Sequence, residues 1–230
     1  MQPTIQIELG ASEAKKASIR GDVIIIVDVL RASSTIVTAL ANGAKHIRPV
    51  SSLEECIGEV TAGERGGHKP SDFDVDNSPL SFLENRFSNK EIVLTTTNGT
   101  ECINAANSAL DSIVLIGSIL NAQSVAESAL LLAKDHKRNI TIICAGRKKK
   151  MATEDLIGAS EIASAIPSAP IVGNIAAIQS DDLVKDFLES DTGKNLESLG
   201  KTADILFCAE KNRYSITPIF ENGNIKVLSF

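Results

Sequence analysis

The segment 23–40 places an acid and a base directly after a strongly apolar run. Residues 23–27 are all Val or Ile, Asp28 follows them at once, and Arg31 comes three positions later. A carboxylate at the end of such a run is unfavourable unless it is paired or binds a cation. We therefore interpret Asp28 as a metal ligand or an acid/base group; a structural ion pair with Arg31 and a cap of the following helix are the alternatives. Arg31 would lie at the positive end of a helix dipole, so we expect an anionic ligand near it.

A second segment, "TTTNGT" at 95–100, has the character of an anion-binding turn. Three hydroxyls and an Asn-Gly pair between a strand and a helix offer side-chain donors and backbone N–H groups to a phosphate. A well-capped helix start is the alternative interpretation. The chain has no Gly-x-x-x-x-Gly-Lys motif, so the sequence does not support nucleotide hydrolysis.

More charged residues lie in the long non-periodic segment 63–79 and around 147–155. Loops of that length in a compact domain are usually functional or disordered. Glu64-Arg65 precedes two glycines, and Glu154-Asp155 stands at a predicted helix start, where the helix dipole alone could account for the two acids. Carboxylates suit a magnesium-like ion, and several arginines suit a multiply charged anion. Metal-assisted phosphoryl transfer is the chemistry that these residue types favour.

The elements that must position these residues alternate between strands and helices. Apolar runs predict strands at 22–29, 46–50, 91–96, 112–117 and 139–146, and helical spacing predicts helices at 33–44, 52–63, 98–109 and 122–136. The alternation predicts a three-layer α/β/α sandwich with a largely parallel, mixed central sheet. An Asn-Gly pair within 215–230 predicts a hairpin on the sheet edge. We read 1–230 as a single domain, with a helical C-terminal subdomain around 151–210 as an option.

Ligands of a parallel α/β sheet bind at the carboxyl ends of its strands. Four polar clusters follow predicted strands: Asp28 with 31–35, then 95–100, 117–121 and 144–150. The basic run 147–150 has a second interpretation as a solvated loop. No His stands beside Ser or Cys in a triad-like arrangement, which argues against a Ser or Cys hydrolase.

Composition excludes several classes of protein. A net charge of −6 and 3% aromatic residues argue against a nucleic-acid partner. The four cysteines are scattered without zinc-ligand spacing, as in a reducing compartment. No apolar window reaches the roughly 18 residues of a membrane span. We therefore expect a soluble cytoplasmic protein with no membrane partner; its oligomeric state stays open, a homodimer included.

Six segments together resemble the motif series of the 2-phosphosulfolactate phosphatase (ComB) family. They are "DVLRASSTIVTALANGA" (28–44), "GERGG" (63–67), "FDVDNSP" (73–79), "TTTNGT" (95–100), "CAG" (144–146) and "ATEDLIGA" (152–159). The resemblance implies a fold characteristic of that family and an Mg²⁺-dependent phosphatase that converts 2-phospho-3-sulfolactate to 3-sulfolactate and phosphate, on the route to coenzyme M. The partner would be a small anionic phosphomonoester.

The resemblance also implies which residues line the site, and we infer their roles. Asp28, Arg31, Glu64 and Asp155 are predicted to be catalytic; Asp28, Glu154 and Asp155 to hold the metal; and Arg65, Asn77, Ser78, Thr97, Asn98, Gly99, Thr100 and Arg147 to bind substrate. Asp76 stands where the family usually has Gly, and 147–150 replaces a Gly-containing turn. These departures leave two alternatives open, a phosphatase for another small 2-phospho acid and an inactive metabolite-binding protein.

Overall fold

The apolar run Val23–Val27 forms a strand, β2, whose two faces are buried in different hydrophobic cores. In the computed structural model, which describes residues 2–167 and 169–229, the odd-numbered residues of β2 belong to one core and the even-numbered residues to the other. Each fully buried Val or Ile contributes about 1.5–3 kcal/mol to folding. The predicted three-layer sandwich is confirmed.

One mixed sheet contains the eleven strands of the described residues. They are β1 (Ile5–Leu9), β2 (Val23–Val27), β3 (His46–Val50), β4 (Val60–Gly63), β5 (Val75–Asp76), β6 (Glu91–Thr95), β7 (Ile113–Gly117), β8 (Ile140–Cys144), β9 (Ile171–Val172), β10 (Pro218–Glu221) and β11 (Asn224–Val227). Their order is β5-β4-β6-β3-β11-β10-β7-β2-β8-β1-β9. Two parallel blocks result, joined by the antiparallel pair β10–β11.

Helices cover both faces of the sheet. They are α1 (Gly10–Arg20), α2 (Ala32–Ala41), α3 (Gly99–Ala106), α4 (Ala122–His136), α5 (Thr153–Ser164), α6 (Leu183–Glu189), α7 (Asp191–Ser198) and α8 (Thr202–Cys208), with short 3₁₀ turns at Pro79–Phe82 and Ile119–Asn121. Most buried apolar residues of α1, α2 and α3 belong to one core and most of those of α4 to α8 to the other, while Val37 of α2 and Phe207 of α8 pack together in a smaller cluster. No helix within 2–167 or 169–229 is both long enough and apolar enough to cross a bilayer.

Strand register brings the predicted polar clusters to one edge of the sheet. Val27 is paired with Cys144, and Gly63 with Thr95, so the chain leaves β2 beside β8 and β4 beside β6. The helices α2, α3 and α5 begin at residues 32, 99 and 153, shortly after β2, β6 and β8 end. Their N-termini therefore lie at the carboxyl edge, where the helix dipole favours anions.

The prediction of a helix at 52–63 is wrong. Residues 51–59 form turns and bends, and β4 begins at Val60. A Cβ on Gly58 would lie 2.3 Å from Cγ2 of Val93, so the segment packs closely on β6 only because residue 58 has no side chain. Parallel pairing with β6 then overrides the helical spacing.

The hairpin predicted at 215–230 forms, but its predicted place at the sheet edge is wrong. Asn222 and Gly223 connect β10 to β11, and both have positive φ. β10 pairs with β7 and β11 with β3, which puts the hairpin inside the sheet. Ile219, Phe220 and Ile225 are buried there, whereas Val227 is exposed. The sequence reading also omitted β1 and α1.

Candidate active site

A cavity opens at the carboxyl edge of the sheet and gathers most of the predicted site residues. Nine of them line it: Asp28, Arg31, Glu64, Asn77, Thr97, Asn98, Arg147, Glu154 and Asp155. They come from the β2–α2, β4–β5, β6–α3 and β8–α5 connections, from the residue that follows β5 and from the first turn of α5. Residues remote in sequence are therefore brought together by the strand ends, as ligand sites of α/β sheets generally are.

Three carboxylates form the acidic part of the cavity. Asp155, in the first turn of α5, accepts the backbone N–H of Val29 at 2.9 Å and that of Gly146 at 2.8 Å, one on each oxygen. Asp28 accepts the N–H of Ala32 at 3.2 Å and so caps α2. A cap of this helix was one of the alternatives that the sequence left open for Asp28. Glu154 is 2% exposed and accepts no hydrogen bond from a described residue.

Burial and mutual repulsion make this group reluctant to ionise fully. Burial, together with the charges of Glu64 and Glu154, raises the pKa of Asp28 to about 7, although the Ala32 N–H and the Arg31 charge act in the opposite direction. Burial and then the charges of Asp28 and Glu154 raise the pKa of Asp155 well above its usual range. Perturbed carboxyls grouped in a cleft are typical of functional sites.

The donor set fits a hard divalent cation. Carboxylate and amide oxygens are the ligands that Mg²⁺ prefers. Oδ1 of Asn77 lines the same cavity and is buried without a hydrogen-bond donor in the described chain, which is costly unless something else satisfies it. In residues 2–167 and 169–229 no three acidic, His or Cys side chains already stand in a preformed metal-binding cluster. The types of donor atom that line the cavity thus suit the ion, and what the described residues lack is only the preformed cluster.

Arg31 is held by acids other than Asp28. Its Nη1 donates to Oδ2 of Asp204 at 2.6 Å and lies 3.5 Å from Oδ2 of Asp76, and its side chain is buried. Lys201 also forms an ion pair with Asp76, and Ser78 donates to the other oxygen of Asp204 at 2.6 Å. The Asp28–Arg31 ion pair that the sequence left open is not formed.

Glu64 connects the loop after β4 to the loop after β6. Oε1 accepts the backbone N–H of Thr97 at 2.7 Å and its hydroxyl at 2.8 Å, and Oε2 accepts the N–H of Gly67 at 2.7 Å. Three donors on one carboxylate hold both loops in place. The geometry gives Glu64 a positioning role at the cavity wall.

Four predicted substrate-binding residues do not line the cavity. Arg65 donates to Thr95 Oγ1 at 2.8 Å and to Ser51 O, facing away from it. Ser78 is occupied by Asp204, and Thr100 exchanges hydrogen bonds with Thr96. Gly99 backs Asp28, because a Cβ there would lie 2.8 Å from Asp28 Oδ2. The cluster at 117–121 lies at the same edge, beside the end of β2, but does not line the cavity, because Ser118 and Asn121 form a buried capping box.

The structure adds residues that sequence reasoning missed. Asp204 of α8 anchors Arg31, and Thr192, Asn195 and Leu196 of α7 close one side of the cavity. Asp204 has no local signal, because its partner Arg31 lies 173 positions away in the chain. No motif marks the α7 residues, because only the packing of α7 against α6 and α8 brings them to the cavity.

The start of α3 offers free backbone donors. Asn98 caps this helix without a side-chain hydrogen bond, and the N–H groups of Asn98 and Gly99 donate to no acceptor in the described part of the chain. Asn98 and Thr97 line the cavity. Such N–H groups at the positive end of a helix dipole suit a phosphate.

Comparisons with known proteins agree on one family. The model of the 2-phosphosulpholactate phosphatase family matches residues 10–223. A "Probable 2-phosphosulfolactate phosphatase" of Pseudothermotoga lettingae is 38% identical over 211 residues, which cover 86% of this chain and 89% of that protein. Proteins with the same name from Caldanaerobacter subterraneus subsp. tengcongensis (35% over 228 residues; 88% and 89% covered) and Clostridium tetani (32% over 237 residues; 96% and 99% covered) are also similar.

Proposed function

The chain belongs to the 2-phosphosulpholactate phosphatase family, and we propose that it is a phosphoric monoester hydrolase that converts 2-phospho-3-sulfolactate to 3-sulfolactate and phosphate with the help of Mg²⁺. The observation that carries the proposal is the convergence of Asp28, Glu154 and Asp155 on one cavity beside the free N–H groups of α3. An acidic group for a cation and a donor group for a phosphate are the two parts that metal-assisted phosphoryl transfer requires.

The three carboxylates would hold the ion. Bound there, Mg²⁺ would neutralise phosphate charge and lower the pKa of water. Asp155 is oriented by two backbone donors, and Glu154 has both oxygens free of donors from the described chain. Asn77, whose Oδ1 has no donor in the described chain, is a fourth residue of the same cavity with an oxygen to offer.

The remaining residues would bind the phosphate and manage the proton. The N–H groups at the start of α3 bind the transferred phosphoryl group, and Arg31, fixed by Asp204, contributes further N–H donors. Asp28, which would also touch the ion, is placed to take up the proton of the attacking water; its pKa of about 7 belongs to the metal-free cavity, and a bound cation would lower it. Glu64 keeps the walls at a constant distance.

Phosphate release decides the proposal. Purified protein is incubated with phosphosulfolactate, phospholactate and phosphoglycolate, with Mg²⁺ or with EDTA. We expect Mg²⁺-dependent turnover with a preference for phosphosulfolactate. A preference for another 2-phospho acid would retain the reaction and replace the substrate; absence of turnover with Mg²⁺ and other divalent ions would refute the enzyme and leave a binding protein.

A matched pair of variants tests the metal role of Glu154. Glu154→Gln removes the donor-free carboxylate, whereas Glu161→Gln changes a residue of the same helix whose partner is Lys211. We expect Glu154→Gln to raise the Mg²⁺ concentration needed for half-maximal activity at least tenfold, and Glu161→Gln to leave it unchanged. Equal behaviour of the two variants would remove Glu154 from the ion's ligands.

Place and pathway are part of the proposal. All four cysteines are described, free and buried, as expected in a reducing cytoplasm. A product with a sulfonate is compatible with a route to coenzyme M. The net charge of −6 again argues against nucleic acid as a partner; a homodimer stays a prediction.

A further inference from the structure

Two tight turns of matching geometry border the cavity, and they differ in the residues at their tips. Arg65 and His68 close one turn by an isolated antiparallel bridge, and Arg147 and Lys150 close the other in the same way. The first turn has Gly66 and Gly67 at its tip, with φ of +62° and +90°. The second has Lys148 and Lys149, with φ of +49° and +61°.

Left-handed backbone is unfavourable for lysine and free of strain for glycine. The turn at 65–68 shows that Gly-Gly satisfies this geometry in the same molecule. Lysines at 148 and 149 therefore give the turn a strained backbone with no gain in local folding. Strain retained beside a site is a reason to look for a function of the side chains.

Lys148 is the tip residue that lines the cavity, and its charge is available. It forms no ion pair with any acid in 2–167 or 169–229. The Arg31 charge, by contrast, is compensated by Asp204 and Asp76. Lys149 shares the charge, exposure and backbone conformation of Lys148 but is not a lining residue.

The turn is attached on its N-terminal side to Asp155 and to the start of α7. The N–H of Gly146 donates to Asp155, and Nη1 of Arg147 donates to the carbonyl of Asp191 at the start of α7 at 2.6 Å. A Cβ on Gly146 would lie 2.5 Å from the carbonyl oxygen of Lys150, so the base of the turn is closely packed. Lys148 is thus carried on a rigid base beside the carboxylates.

We propose that Lys148 is a specificity-determining residue that binds a second anionic group of the substrate, a carboxylate or sulfonate, while the phosphate lies against α3. The inference rests on the proposed phosphatase function and deepens it. The proposal predicts selectivity. Replacing Lys148 should lower kcat/KM for phosphomonoesters that carry an additional negative charge and should have little effect on kcat/KM for those that do not.

The test compares two substrates of similar size and three variants. Phosphoglycolate carries a carboxylate, and 2-hydroxyethyl phosphate has an uncharged hydroxymethyl group in its place. Lys148→Asn and Lys149→Asn each remove one charge and put Asn, which tolerates positive φ, into the turn. Lys148→Arg keeps the charge. Because none of these positions is buried, Tm serves to verify that all variants fold.

We expect Lys148→Asn to lower kcat/KM for phosphoglycolate about five- to tenfold, the range for a partly exposed charged hydrogen bond, and to change 2-hydroxyethyl phosphate less than about twofold. Lys148→Arg and Lys149→Asn should both retain the wild-type ratio of kcat/KM for phosphoglycolate to kcat/KM for 2-hydroxyethyl phosphate. Equal losses of kcat/KM for phosphoglycolate in Lys148→Asn and Lys149→Asn would show that the turn acts only through its total positive charge, and would overturn the proposal. An unchanged kcat/KM in Lys148→Asn would also overturn it. If the wild type hydrolyses neither ester nor phosphosulfolactate with Mg²⁺, the phosphatase function itself fails.

Discussion

Replacement of Asp28 by Asn should stabilise the metal-free protein at alkaline pH while abolishing turnover. The carboxyl is buried, and its pKa is raised to about 7 from an ordinary value of 3.8, first by burial and then by the charges of Glu64 and Glu154. Asn has nearly the same shape and retains an oxygen for the Ala32 N–H. The substitution therefore removes the ionisation and little else.

The sign follows from proton binding. Folded Asp28 holds its proton more tightly than unfolded Asp28, so its contribution to stability is complete below the unfolded pKa and is lost as pH rises through about 7. At about 1.4 kcal/mol per pH unit the whole shift is worth about 4 kcal/mol, of which about 3 kcal/mol is lost between pH 5 and pH 8. For a chain of 230 residues that corresponds to roughly 6–12 °C in Tm.

Thermal unfolding in EDTA at pH 5 and pH 8 measures this difference. The Tm of the wild type should fall by roughly 6–12 °C between pH 5 and pH 8. The Tm of Asp28→Asn should fall far less, so at pH 8 the variant should have the higher Tm. Asp76→Asn is the control of opposite sign: burial opposes ionisation of Asp76, but Lys201 and Arg31 outweigh it and lower its pKa, so this variant should be less stable at both pH values. Equal pH slopes in wild type and Asp28→Asn would refute the reasoning.

Three further substitutions probe the residues around the carboxylates. Asp204→Ala leaves the buried Arg31 guanidinium without its nearest acid and should reduce the free energy of unfolding by about 3–5 kcal/mol in urea titrations; a loss below 1 kcal/mol would contradict it. Glu64→Gln replaces one of the two acceptor oxygens by a donor and should accelerate hydrogen exchange in both connected loops and lower kcat, whereas unchanged exchange would deny the positioning role. Gly99→Ala puts a methyl 2.8 Å from Asp28 Oδ2, so activity should fall at least tenfold with a Tm change of a few degrees; full activity would show that Asp28 can move freely.

Local patterns in the sequence were sufficient for the strands and for the acids that follow them. The runs that became β2, β6 and β8 are buried on both faces, so their apolar composition alone predicts them, and the turn from strand to helix then puts Asp28 and Asp155 at the carboxyl edge. The same rule failed at 117–121, where Ser118 and Asn121 satisfy each other and the backbone. A polar strand end therefore predicts a site only when its groups lack local partners.

Long-range packing decided what the sequence did not reveal. Residues 52–63 have helical spacing, but if they formed a helix, the residues of β4 could not pair with β6. The sequence of the hairpin at 218–227 predicts its turn, but it does not predict the strands beside it, because β3 and β7 are far away in sequence. Asp204 reaches Arg31 across 173 positions of chain. Contacts of this kind have no local signature, and the cavity depends on several of them.

The charges around the cavity explain why an ion and a basic turn would be needed together. Asp28, Glu154 and Asp155 would repel a phosphate dianion if all were ionised, and the raised pKa values of Asp28 and Asp155 show that protons partly neutralise the group when no cation does. A cation at these oxygens would replace those protons and would bind better as pH rises. The cation, the N–H groups of α3 and Arg31 would all act on the phosphate, and Arg31 has no spare charge for a second anion because Asp204 and Asp76 compensate it. An additional anionic group on the substrate would then find its counter-charge at Lys148, on the turn that follows Gly146, whose N–H donates to Asp155.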